Sequence, residues 1–167
     1  EGAYRRSLEL NQRLRDKFPG VVEYRNALAN CYGNLANLLS ALRRRSEADA
    51  AYREAVTQYA HLAADFPAVP RYRRALATTH SNRGVLLVAL GRLPDAEAAY
   101  RAAIGIHERL VGDFPDVSAF AVSLGGSYCN LAQLLSKQES SAETLECYAK
   151  AIQVLTPVVD REPRLAT

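Results

Sequence analysis

A Phe-Pro step returns along this chain at a constant interval, and that interval governs what the chain can fold into. Phe18-Pro19 recurs as Phe66-Pro67 and as Phe114-Pro115, each 48 residues beyond the last. Tyr4, Tyr52, Tyr100 and Tyr148 keep the same interval, as do Asn34, Asn82 and Asn130, and the aromatic set Tyr24, Tyr72 and Phe120. No insertion disturbs the register, and Pro163 falls where Pro19, Pro67 and Pro115 place it. Self-similarity at a fixed period of this size marks an array built from one duplicated supersecondary unit. A unit so short cannot bury its own apolar face, so neighbouring units must stack.

Each period reads as two helices. In the first half, Tyr24, Leu28, Tyr32, Leu35, Leu38 and Leu39 recur at spacings of three and four, a single apolar stripe on a 3.6-residue period. Its counterparts run from Tyr72 to Leu90 and from Phe120 to Leu135. Gly91 follows the last apolar residue of the second copy, where a helix-ending glycine belongs. The second half begins near Ser46-Glu47, Pro94-Asp95 and Ser141-Ala142-Glu143. Ser46 and Ser141 read as N-caps there, Pro94 suits a first turn, and the acids suit the positive end of the dipole. Each second helix stops at Phe-Pro, because proline lacks an amide hydrogen and drives its predecessor out of the α region. The Phe ring is then free to enter the seam between units. Helices of about 20 residues are roughly 30 Å long.

The expectation is therefore an all-α, right-handed α-solenoid of antiparallel helix pairs with seven helices. Residues 1–20 form an orphan second helix, and 21–68, 69–116 and 117–163 form full pairs within one domain, 1–167. The orphan helix has lost its preceding partner, which leaves Tyr4, Leu8 and Leu14 partly bare and makes end-to-end self-association a possibility to test. The chain lacks Met and opens at Glu1, so it reads as an excised piece.

Composition narrows the function classes. The net charge of +3 is small, and Arg alternates with Glu and Asp, without the basic stripe of a nucleic-acid binder. Arg43-Arg44-Arg45 and Arg71, Arg73 and Arg74 read as solvated faces at helix ends. Three cysteines, Cys31, Cys129 and Cys147, are too few and scattered for a disulfide scaffold and lack zinc-ligand spacing, so a reducing, cytoplasmic setting is expected. No run is apolar and long enough to span a bilayer, so no membrane partner is expected.

Residues at fixed positions then carry a resemblance. Tyr32, Leu35, Ala36, Leu39, Ala48, Tyr52 and Ala55 have the spacing of the tetratricopeptide repeat signature. His80, Gly84, Leu87, Ala96, Tyr100 and Ala103 repeat it, and Tyr128, Leu131, Ala132, Leu135, Tyr148 and Ala151 repeat it again, with Thr144 standing where Ala is expected. The chain resembles a tetratricopeptide array over nearly its whole length. Its helices are longer than those of the ordinary 34-residue repeat. In that, in Phe-Pro-x-x-x-x-Tyr and in Ala-Tyr-Arg, it is similar to arrays of large bacterial multidomain signalling proteins, notably those following a Ser/Thr kinase domain. No kinase motif is present here.

The resemblance implies that the first helix of each pair lines a concave face that binds peptide. Asn34, Asn82 and Asn130 match the asparagine ladder of several family members, in which side-chain amides bridge the backbone of an extended peptide. An amide offers donors and an acceptor, the complement of a peptide unit, without reading side chains. A structural hydrogen bond between helices is the other reading, since Asn is a poor helix-interior residue. Asn30, Gly33, Asn37 and Ser40 share the face in the first pair, Thr78, Ser81, Val85 and Val88 in the second, and Gly126, Cys129, Gln133 and Ser136 in the third. The peptide-binding set is accordingly Asn34, Asn82, Asn130, Asn30, Asn37, Ser81 and Gln133. The family's carboxylate clamp needs Lys or Arg at positions that here carry Asn30, Gly33, Thr78, Ser81, Gly126 and Cys129.

Catalysis finds no footing. His61 aligns with Arg13 and Arg109 at the surface, His80 takes the Tyr32/Tyr128 slot, and His107 aligns with Tyr59 and Leu155, both packing positions. His107-Glu108 lacks the second His of a zinc-protease helix. Cys147 aligns with Ala51 and Ala99, as a small buried residue. The expected function is a non-catalytic protein–protein interaction scaffold, part of a larger signalling protein, with no cofactor, metal or nucleic acid, that binds an extended peptide or partner protein. A structural module that stacks end to end is the alternative.

Overall fold

The structure, a computed structural model, describes residues 2–161, and among these it is entirely helical. Seven helices follow in order: α1 (Gly2–Lys17), α2 (Val22–Ala41), α3 (Arg45–Asp65), α4 (Pro70–Ala89), α5 (Leu93–Asp113), α6 (Ser118–Lys137) and α7 (Ser141–Arg161). Pro163 lies outside the described residues.

α2 packs on α3, α4 on α5 and α6 on α7, and these pairs meet through α3–α4 and α5–α6. α1 packs on α2, and α4 also touches α6. Helices joined by loops of a few residues and packed along their length must reverse direction, so the pairs are hairpins. The packing is sequential, and the core accordingly breaks into successive clusters instead of one centre. Alanines at the helix contacts, among them Ala29, Ala36, Ala48, Ala55, Ala77, Ala96, Ala103 and Ala132, are wholly buried and let the backbones approach. Leu28, Leu62, Leu87, Leu110 and Leu134 fill the remaining space. Each contributes about 1.5–3 kcal/mol relative to an exposed side chain.

Two kinds of turn alternate. Within a pair, the first helix ends in a left-handed residue: Arg43 (φ 61°), Gly91 (φ 73°) and Glu139 (φ 61°). The amide beyond it returns to the helix, from Arg44 to Leu39 O at 2.9 Å, Arg92 to Leu87 O at 2.9 Å and Ser140 to Leu135 O at 3.2 Å. This is the Schellman closure, which satisfies carbonyls that the helix end leaves open. Between pairs, the Phe amide donates to the last turn, Phe66 to Leu62 O at 3.0 Å and Phe114 to Leu110 O at 2.9 Å. The Phe ring then meets the aromatic that opens the next helix, with centroids 6.0 Å apart for Phe18–Tyr24, 6.0 Å for Phe66–Tyr72 and 5.8 Å for Phe114–Phe120.

The N-cap assignment of Ser46 and Ser141 is corrected. α3 begins at Arg45, so the cap position belongs to Arg44, and α7 begins at Ser141, which moves the cap position to Ser140. Arg44 holds Glu47 from the cap at 2.6 Å, and Arg92 holds Asp95 at 2.7 Å in the next pair. An ion pair fastened across the first turn does the orienting that a serine hydroxyl was expected to do.

Candidate functional site

α2 and α4 run side by side with a groove of about 360 Å³ between them, floored by Tyr52 and Tyr59 of α3. Asn30, Asn34 and Asn37 from α2 and Asn82 from α4 line it, with Gly33, Thr78 and Thr79. Spacings of three, four and seven residues put the α2 asparagines on one helix face. Gly33 between them leaves open space in which an added Cβ would meet nothing within 4 Å.

The asparagines divide into two kinds. Asn30 and Asn37 are held from below, each accepting a hydrogen bond from a buried tyrosine: Tyr59 Oη to Asn30 Oδ1 at 2.6 Å, Tyr52 Oη to Asn37 Oδ1 at 2.5 Å. Their carbonyl oxygens are thereby engaged, which points each amide NH2 outward. Asn34 and Asn82 are exposed, Asn130 is half-buried, and none of the three makes a hydrogen bond with another described residue. Gln133 is exposed on the α6 face. Ser81 departs from the set: its Oγ is buried without a partner, out of reach of a ligand in the groove.

The arginine cluster at the start of α4 separates into three environments: Arg71 and Arg74 are exposed, as a solvated face requires, and Arg73 is half-buried. Arg71 lies over the Tyr72 ring at 4.8 Å and donates to its hydroxyl at 2.7 Å. Arg73 pairs with Asp113 at 2.5 Å and covers the Phe114 ring at 5.8 Å, joining the two ends of its hairpin. Arg25 and Asp65 make the same link in the preceding pair, at 2.7 Å. Arg74 lines the groove and has no ion pair or hydrogen bond among the described residues. Its triplet neighbours gave no sign of this, because adjacent helix positions diverge by about 100°.

His107, His80 and Cys147 occupy packing environments. His107 is 2% exposed, with Nδ1 3.0 Å from Ser127 Oγ. Burial holds its pKa below the ordinary histidine value. His80 is held low by burial and by the nearby Arg83 charge, and its Nδ1 has no partner. The reason lies across the seam. Tyr32 receives a hydrogen bond from Gln12 and Tyr128 donates one to Glu108, but the residue facing His80 in the same register is Ala60. Burial, and then the Glu108 bond, push the Tyr128 hydroxyl pKa well above the usual tyrosine range. His61 is exposed. Cys147 is buried, and burial raises its thiol pKa, the opposite of what an activated cysteine needs. No group of His, Cys, Asp and Glu that could hold a metal ion occurs among the described residues, and no described helix is long and apolar enough to cross a membrane.

Models of the tetratricopeptide repeat match residues 28–62, 76–116 and 125–154, together more than half of the chain. The chain belongs to the tetratricopeptide repeat family. Repeats of this family are protein-binding modules, and the all-helical array is the scaffold on which they bind. No curated protein sequence matches the chain. Among solved structures it is similar to BtubC (BKLC) from P. vanneervenii, with 19% identity and a TM-score of 0.65 over 93% of this chain and 56% of that one. It therefore spans little more than half the length of that protein. A second similar structure is MamA MSR-1 C2, at 21% identity and a TM-score of 0.49 over 94% of this chain and 70% of that one. At these identities the likeness to BtubC is one of fold.

Proposed function

We propose that this tetratricopeptide array is a non-catalytic scaffold that holds an extended peptide segment along α2, α4 and α6, within a larger signalling protein. Asn34, Asn82 and Asn130 grip the backbone of the bound segment, with Asn30, Asn37 and Gln133 beside them. The observation that carries this reading is that the three ladder asparagines make no hydrogen bond among the described residues. An asparagine that pinned neighbouring helices would spend its amide inside the fold, whereas these keep both donors and the acceptor for a ligand. Asn30 and Asn37 are pre-set by Tyr59 and Tyr52, so part of the lining is ordered before anything binds. Apart from Arg74 the lining is neutral, which suits a backbone-directed grip with little side-chain selectivity. The 48-residue spacing supports a longer array of the signalling type, and the cytoplasm suits its free cysteines.

The test is selection from a displayed library of random peptides, run in parallel on the protein and on the Asn34→Ala, Asn82→Ala, Asn130→Ala variant. Peptides enriched by the protein and lost by the variant, with melting temperatures within about 2 °C, would establish the ladder. Enrichment unchanged in the variant would remove these asparagines from the site. A large fall in melting temperature would make them structural.

A further inference from the structure

The asparagine ladder repeats, and a grip that repeats leaves a bound segment free to slide. Asn34, Asn82 and Asn130 present the same amide once per helix pair, so a backbone moved along by one pair meets an equivalent group. Charge complementarity is one means by which a binding surface fixes register. The groove between α2 and α4 has a single charged residue in its lining, Arg74, and no Asp or Glu. Arg74 is exposed and has no ion pair among the described residues. The arginines around it are engaged: Arg73 with Asp113, Arg25 with Asp65, and Arg71 with the ring and hydroxyl of Tyr72. Nor does the charge recur with the 48-residue period, since the matching positions are Asn26 on α2 and Val122 on α6.

We propose that Arg74 sets the register of the bound segment by taking the carboxylate of one Asp or Glu side chain within it, in a corner completed by Thr78 and Asn30. The inference rests on the reading of this groove as a peptide site and names a chemistry which that reading leaves open. Arg74, Thr78 and Asn82 follow at steps of four on one face of α4, about 12 Å from first to last. Thr78 thus stands one turn from the ladder and one turn from the guanidinium. Asn30 occupies the position of Thr78 in the preceding pair, and both line the groove. Its Oδ1 is taken by the Tyr59 hydroxyl at 2.6 Å, which leaves its NH2 for a ligand. A guanidinium fork, an amide NH2 and a hydroxyl offer the donors that a carboxylate, an acceptor alone, requires. A phosphorylated side chain fits less well, because it calls for clustered arginines and Arg71 and Arg73 are committed elsewhere. A chain terminus fits less well too. Arg74 belongs to the middle one of the three ladder helices, so a segment held by all three asparagines has chain on both sides of it.

The test is selection from a displayed library of random peptides on the protein, on Arg74→Glu and on the Asn34→Ala, Asn82→Ala, Asn130→Ala variant. Peptides that the protein retains and the triple variant loses should share Asp or Glu at one fixed position. On Arg74→Glu that position should turn to Lys or Arg, with the melting temperature unchanged. One such peptide, made with an amidated C-terminus, should bind roughly tenfold or more weakly once its acid is changed to Asn or Gln. Ladder-dependent peptides with no fixed acid, or with the same acid on Arg74→Glu, would overturn this proposal and leave the groove reading standing. Binding lost on amidation alone would overturn it in favour of a C-terminal carboxylate. Retention that survives the triple variant, or no retention at all, would overturn both.

Discussion

Arg83 of α4 donates from Nε to Asp49 Oδ1 of α3 at 2.7 Å. Asp49 is 4% exposed and takes a second bond from Arg92 Nη1 at 2.9 Å. Arg83 stands where the neighbouring pairs have Leu35 and Leu131, so one leucine of the repeat has been exchanged for a buried ion pair with its acid supplied by the helix opposite. Such a pair is costly to desolvate, and much of its apparent value is the penalty for separating it.

Arg83→Leu should destabilise the protein by about 1–3 kcal/mol, because Asp49 keeps only its rim partners. Adding Asp49→Ala should recover most of that loss, since an apolar seam like the others replaces the pair. Chemical denaturation of the two variants measures both values, and a double variant no more stable than Arg83→Leu would contradict the account.

Stability should decline on acidification in two stages. His107 and His80 are held neutral, His107 by burial and His80 by burial and Arg83. Below the unfolded histidine pKa of about 6.5 the unfolded chain takes up protons that the folded chain refuses. Their contribution is therefore intact above about pH 6.5 and is lost as pH falls from there toward their lowered folded values. Burial alone would raise the Asp49 carboxyl pKa, but the Arg83 and Arg92 bonds prevail and hold it below the ordinary aspartate value. Its contribution persists above about pH 4 and disappears as pH drops through the folded pKa. Melting temperatures recorded between pH 7.5 and 5 should fall, and His80→Tyr with His107→Leu should flatten that slope.

Gly84→Ala should destabilise by about 1–3 kcal/mol despite the better helix propensity of alanine. A Cβ there would stand 2.7 Å from Cδ1 and 2.9 Å from Cζ of Tyr100, a ring that is 3% exposed and has nowhere to go. Tyr100→Leu in the same chain should make the alanine tolerable. Thermal melts of the single and double variants decide it.

Arg43→Gly and Glu139→Gly should each stabilise by about 1 kcal/mol, because both residues occupy a left-handed conformation that costs an L-residue about 1–2 kcal/mol. Gly91→Ala should do the reverse. A gain of about 2–4 °C per substitution is expected by calorimetry, and no gain at either site would mean that the closure is not strained there.

The helices, their order and their turns were legible because each rests on local chemistry repeated several times. An apolar residue every three or four positions forms a buried stripe, Phe-Pro ends a helix wherever it stands, and Gly91 announces a left-handed closure. The same closure at Arg43 and Glu139 carries no local sign, because neither residue prefers that conformation. Ser46 misled for a related reason: the helix start is set by the return of the Arg44 amide to Leu39, which a cap preference does not encode.

The asparagine ladder could be seen as a pattern of residues, but its freedom from internal bonds depends on what the facing helices offer. Asn30 and Asn37 meet tyrosine hydroxyls of α3, and Asn34 meets none, although all three share one face. Arg71, Arg73 and Arg74 form one basic cluster in the chain and three separate environments in space. The elements and the faces they bury follow from the order of residues, because periodicity and proline act within a few residues of backbone. The partners of the polar groups follow from how the helices pack, because a hydrogen bond or ion pair depends on which side chain a neighbouring helix brings within about 3 Å.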